Sequence, residues 1–202
     1  MNIKIPNDCK EIHILYTGGL DSALLLYLLA KQYQNVPVFS HTFHTKAITT
    51  LNNTIKFVEE TEKKLNRKII KNIYGNGSSS VLWIRKYVEF VQKLHNNCYV
   101  FSGCNRVPER KFIPEFLNTR IPSRGEPGNE RHIRPFIDIL KPQITAMYKE
   151  EKIVDLIKYT RSCGSVNGGE CGICFFCHER RWAFNETGIN IDTFSNGEQD
   201  EV

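Results

Sequence analysis

A chain of 202 residues that is 41% hydrophobic and 24% charged can bury a core without disulfide staples, and one domain is the default. No stretch approaches the roughly 18 apolar residues of a membrane span. The opening MNIKIPNDCKEIHILYTGG has no cationic segment followed by an apolar run, so no membrane partner and a cytoplasmic location are expected. The net charge of +5 suits an anionic small molecule or a nucleic acid without choosing between them.

In chain order, residues 11–16 (EIHILY) form a short apolar strand, TGGLDS breaks it, and Ala23 to Gln32 reads as a mostly buried helix. Residues 36–43 (VPVFSHTF) predict a second strand. Thr49 to Leu65 carries Leu51, Ile55, Phe57, Val58 and Leu65 at helical spacing, and Lys68 to Ile73 is a third strand. A GNGSSS loop at 75–80 precedes an amphipathic helix over 81–94 and a fourth strand, Cys98 to Ser102. This alternation predicts an α/β fold, a doubly wound parallel sheet with helices on both faces. Ligands in such sheets bind at the carboxyl ends of the strands, where TGGLDS and Gly103 to Arg106 fall. Residues 105–134 are rich in Arg, Pro and Gly and read as a long basic loop of the kind that forms lids. Helices over 142–149 and 152–159, a cysteine knuckle and a short helix over 178–185 follow. The acidic end of the chain, 191–202, is expected to be disordered.

Thr17-Gly18-Gly19-Leu20-Asp21-Ser22 sits after a strand and opens a helix. Glycines let a phosphate approach the backbone, and the N–H groups and dipole of the helix start favour its charge. Thr17 and Ser22 add hydroxyls. Asp21 repels phosphate unless magnesium or a fixed loop geometry intervenes. A lone Gly-Gly would more often be a tight turn with Asp21 as a helix cap, but the full string at a strand-to-helix junction favours the phosphate loop.

Seven cysteines divide into scattered Cys9, Cys98 and Cys104 and a cluster, Cys163-x7-Cys171-x2-Cys174-x2-Cys177. The cluster supplies four thiolates for one tetrahedral ion, with zinc as a closed structural site and an iron–sulfur cluster as the rival. Gly168, Gly169 and Gly172 supply its turns. His178 could substitute as a ligand, although a solvent-facing helix start is the commoner fate. Cys104, beside the presumed site, would be reactive only with a depressed pKa.

The loop [ST]-G-G-x-D-S resembles the signature of the ATP-pyrophosphatase (PP-loop) superfamily, with Thr17 where Ser is usual. Its members cleave ATP to AMP and pyrophosphate while adenylating a substrate. RPFIDILKPQI (134–144), followed by TRSCGSVNGGECGICFFCHERRWAF (160–184), is similar to the C-terminal half of the 7-cyano-7-deazaguanine (preQ0) synthase family. That resemblance implies conversion of 7-carboxy-7-deazaguanine with ATP, Mg2+ and ammonia to an amide and then a nitrile, a zinc site, and a homodimer. It implies a nucleotide site of Tyr16, Thr17, Gly18, Gly19, Leu20, Asp21 and Ser22 with Gly103 and Asn105, and Asp21, Ser22 and Lys141 as catalytic candidates. Cys163, Cys171, Cys174 and Cys177 carry over as zinc ligands. A solvated role for Lys141 is nearly as plausible. The chain has SSSVLWIRKY and RVPERKF where the family has an Arg-Asn pair and a Gly-Tyr-Pro-Asp-Cys-like stretch near the base. The implied division is a nucleotide-binding domain over 1–140, a helical zinc-binding region over 141–190 and a tail over 191–202. Two further readings are a PP-loop enzyme acting on tRNA or in sulfur transfer, and a zinc-knuckle protein binding nucleic acid through its basic loop.

Overall fold

A five-stranded parallel sheet is built from β1 (Ile12–Leu15), β2 (Val38–Phe43), β3 (Ile70–Tyr74), β4 (Val100–Ser102) and β5 (His132–Ile133), in the order β3-β2-β1-β4-β5. The computed structural model describes residues 1–43, 48–75, 82–96, 98–113, 129–163 and 170–190. The α/β class expected from the alternating pattern is the one observed. β1 lies at the centre, buried at every position, because helices cover both faces of a parallel sheet.

Successive side chains of a strand point to opposite faces, so β1 divides the interior in two. Ile12, Ile14 and Tyr16 join the main core with helix α1 (Leu20–Gln32), Phe57 and Val58 of α2 (Ile48–Leu65), Ile144 and Tyr148 of α4 (Lys141–Glu150), and Phe184 of α5 (Phe175–Thr187). On the other face Leu15 and Val100 pack against Val88 and Val91 of α3 (Leu82–Leu94) in a smaller cluster. Burying an aliphatic side chain contributes about 1.5–3 kcal/mol, so the main core dominates the stability.

Four differences from the sequence expectations have physical causes. Helix α1 begins at Leu20, not Ala23, because Gly19, extended at φ −78 and ψ 160, passes the chain directly into the helix. The expected helix over 152–159 is a 3-10 helix over Val154–Tyr159: Lys152 holds φ +57, which separates it from α4 and delays its start to Val154. The last helix starts at Phe175 with Cys174 as its cap, so it opens inside the cysteine knuckle. β5 lies within the stretch read as loop. It pairs Val100 with His132 and Phe101 with Ile133, and two residues are too short to show an alternating pattern. The remainder of the basic stretch at 114–128, the loop at 76–80 and the tail at 191–202 lie outside the described residues. No described helix is long and apolar enough to cross a membrane.

Candidate active site and metal centre

The loop from β1 to α1 closes on itself before any ligand is considered. Thr17 N–H donates to Ser22 Oγ at 3.2 Å, the two hydroxyl oxygens lie 3.1 Å apart, and Ser22 O–H donates to Gly19 O at 3.1 Å. Gly18 holds φ +72, and a Cβ there would sit 2.5 Å from Thr54 Oγ1, so glycine is required twice over. The first-turn N–H groups of α1 have no intrahelical acceptor and face the end of the sheet where anions bind. The side chains of Tyr16 and Leu20 turn into the core, at 1% and 0% exposure, so these two residues offer backbone groups to a ligand.

Three later segments hold the loop in place. Gly103, at the end of β4, runs so close that a Cβ would lie 2.5 Å from Ser22 N and 2.7 Å from Asp21 C. Arg161 N–H donates to Gly18 O at 2.8 Å, and Tyr148 O–H donates to Leu20 O at 2.8 Å.

Charge is concentrated at the same point. Lys141 Nζ lies 2.7 Å from Asp21 Oδ2 and 3.2 Å from Glu179 Oε2, and Asn105 Nδ2–H donates to Glu179 Oε1 at 3.3 Å. Lys141 is 2% exposed, which overturns its reading as a solvated lysine. Glu179 is fully buried, and the Asp21 side chain keeps 16% exposure. Asn105 Oδ1 is buried with no hydrogen-bond partner among the described residues. A buried ion pair seldom adds net stability, because desolvating both charges offsets their attraction. Its effect here is to fix the Asp21 carboxylate at the loop. Asp21, Ser22, Gly103, Asn105 and Lys141, chosen from distant parts of the sequence, therefore converge on one place.

Sequence reasoning missed Glu179, Tyr148 and Arg161. Glu179 in the string CHERRW looks like any charged helix position, and a tyrosine or a backbone N–H that reaches across the fold leaves no local signal.

The four clustered cysteines also converge. Cys174 Sγ lies 3.5 Å from Cys177 Sγ and 3.9 Å from Cys163 Sγ, and Cys171 Sγ is 3.9 Å from Cys177 Sγ. Four sulfurs at about 2.3 Å from one tetrahedral zinc ion would be about 3.8 Å apart, so this donor set fits a metal ion. His178 is not part of the group, so its role as a substitute ligand is not borne out. Burial pushes the Cys98 thiol up to about 12, which makes it an inert small residue. Cys104 Sγ accepts from Ser102 O–H at 3.4 Å and belongs to no metal-ligating group among the described residues. The metal centre and the loop are physically tied, since Arg161 precedes the first cysteine by two residues and Glu179 follows the last by two.

No family model and no curated protein matches the sequence. Among solved structures, the chain is similar to NMN synthetase from Francisella tularensis, at 12% identity and a TM-score of 0.55, over 93% of this chain and 81% of that one. It also matches the U34-tRNA thiolase NcsA from Methanococcus maripaludis with its 4Fe-4S cluster, at 14% identity and a TM-score of 0.49, over 94% and 72%. A third match is the glutamine-dependent NAD+ synthetase from Acinetobacter baumannii in complex with ADP, at 13% identity and a TM-score of 0.47, over 78% of this chain and 33% of that one. The likeness to NMN synthetase shows a shared fold, a parallel α/β sheet covered by helices.

Proposed function

We propose that this chain is an ATP-dependent ligase that adenylates a carboxylate and converts it with ammonia to an amide and then a nitrile. Its substrate on this reading is 7-carboxy-7-deazaguanine, which the cysteine-rich C-terminal half favours. The observation that carries the proposal is the buried Asp21–Lys141–Glu179 network against a glycine loop at the N-terminus of α1. A binding module has no use for a desolvated lysine that holds one carboxylate at a phosphate loop. Sharing the fold of a protein named as a synthetase agrees with this reading.

The chemistry explains the parts. A carboxylate is a poor electrophile, so its oxygen first displaces pyrophosphate from the α-phosphorus of ATP. Ammonia then attacks the acyl carbon, AMP leaves, and the amide remains. A second activation on the amide oxygen lets the nitrogen lose two protons as AMP departs, which leaves the nitrile. The helix-start N–H groups and the hydroxyls of Thr17 and Ser22 bind the phosphates and favour the charge that builds there. Lys141 fixes Asp21 and limits its repulsion of the nucleotide. Asp21, a partly exposed oxygen donor at the loop, would hold Mg2+, which supplies charge neutralisation at the pyrophosphate. Cys163, Cys171, Cys174 and Cys177 would hold zinc in a closed structural role, within a region over 141–190 that completes a nucleotide site formed mainly by residues 1–140.

The test is to incubate metal-loaded protein with ATP, magnesium, ammonium and 7-carboxy-7-deazaguanine, and to follow AMP, pyrophosphate and the base by mass spectrometry. Loss of the carboxylate mass with AMP release is expected, with a fall of about 100-fold or more in Asp21→Asn. An unconsumed ATP pool sinks the reading, and AMP release with the base untouched moves the substrate to another carboxylate.

A further inference from the structure

On the face of the sheet away from the main core, three histidines from separate elements meet. His13 of β1 and His41 of β2 are both fully buried, and His95 follows the last residue of α3. One nitrogen of each lies within 4.8 Å of the other two, with His13 Nδ1 and His41 Nε2 3.0 Å apart. The rings lie against Phe39, whose centroid is 4.6 Å from that of His13, in a setting where phenylalanines would pack as well. A buried polar group is costly unless it is paired. His95 Nε2 is buried and has no hydrogen-bond partner among the described residues.

The outer nitrogens of the two buried rings are already held. Glu11 Oε2 lies 3.2 Å from His13 Nε2, and the Tyr74 hydroxyl lies 3.0 Å from His41 Nδ1. A carboxylate or hydroxyl oxygen on the outer ring nitrogen is the arrangement that fixes tautomer and orientation in metal-bound histidines. With the outer nitrogens protonated, His13 Nδ1 and His41 Nε2 turn lone pairs towards the same small space. Nothing but a proton or a cation can sit between two such lone pairs.

We propose that His13, His41 and His95 form a second cation site, for a first-row divalent ion of the zinc class, which clamps the end of α3 onto β1 and β2. Imidazole donors suit such ions and exclude magnesium and calcium, which take oxygen ligands. Ligand nitrogens about 2.0–2.1 Å from one tetrahedral ion are about 3.4 Å apart, so the widest pair closes by about 1.5 Å at most. His95, half-buried at a helix end, has the freedom to supply that movement. Without the ion, His41 Nε2–H donates to His13 Nδ1. On loading, that proton is lost from Nε2 and one is gained at Nδ1, where the Tyr74 oxygen accepts it, so the imidazoles lose no net proton. Three protein ligands leave a fourth position for water. The clamp has a purpose in the fold, because the cluster that joins α3 to the sheet has only four buried residues among those described.

The test uses the full chain with its cysteine site already loaded. Wild-type protein and His95→Phe, which keeps an aromatic ring at the position, are equilibrated with excess zinc, passed through a desalting column and measured for zinc per chain. Wild type is expected to hold one more ion than the variant, and equal counts overturn the proposal. A second measurement needs no variant. Cobalt added to zinc-loaded wild type is expected to give the visible absorption of an imidazole-bound ion, saturating at one equivalent per chain. No such absorption up to several equivalents overturns the proposal independently.

Discussion

Lys141 is the residue whose loss has the clearest consequence. Lys141→Met keeps the apolar stem but leaves the Asp21 and Glu179 carboxylates facing each other in a desolvated place. Removing one partner of a buried pair costs about 3–5 kcal/mol, so urea unfolding should move to markedly lower concentration. Glu179→Gln keeps the shape and one acceptor, leaves the Asp21–Lys141 pair intact, and should cost less than half as much. Equal losses in the two variants would mean that the network acts as packing and not as charge. Tyr148 offers a milder test at the same scale: Tyr148→Phe removes the donor to Leu20 O and should cost about 1–2 kcal/mol in the same assay.

At the scale of elements, the junction of β4 with the loop is the tightest contact. Gly103→Ala places a methyl 2.5 Å from a backbone nitrogen that cannot swing aside, so the loop must shift. ATP affinity should fall by about tenfold or more, read by calorimetric titration, with a stability loss of about 1–3 kcal/mol. The β4–β5 edge carries a pH dependence of its own. Burial, and then the charge of Arg134, lowers His132 from 6.5 to about 4. A base whose folded pKa is depressed is stabilising in its neutral form. That contribution is complete above pH 6.5 and is lost as pH falls towards 4. The other buried histidines titrate in the same window, so the measurement is the difference between wild type and His132→Gln, whose stability should converge with that of wild type as the solution is acidified.

Elements were legible in the sequence to the extent that their pattern was local. The first four strands and the helices between them announced themselves through apolar runs and helical spacing, and TGGLDS and the cysteine spacing carried enough chemistry to be read in isolation. β5 was not legible, because its pairing is decided by β4 and not by its own residues. Glu179, Tyr148 and Arg161 stayed hidden for the same reason, since a side chain that acts across the fold looks ordinary beside its sequence neighbours.

For the whole molecule, the prediction concerns the metal. Chelation from the four-cysteine site should release the start of α5, whose cap is Cys174, and raise the count of reactive thiols by four over the loaded protein. A thiol titration before and after chelation measures this, and an unchanged count would show that the cysteines hold no ion. Because Glu179 lies two residues beyond Cys177, nucleotide binding should weaken along with the metal loss.

The way the loop is completed also sets a timetable. Thr17 to Ser22 emerge from the ribosome long before the lysine that balances Asp21, the tyrosine and backbone amide that anchor Leu20 and Gly18, and the glutamate that completes the network, which all lie between residues 141 and 179. A nascent chain thus carries the glycine loop with an unbalanced carboxylate and no anchor until that stretch follows it, unfit to hold a nucleotide on the proposed function. On the proposed function, competence arrives only once Glu179 has been made, so a chain terminated before it is inert and does not become an uncontrolled consumer of nucleotide.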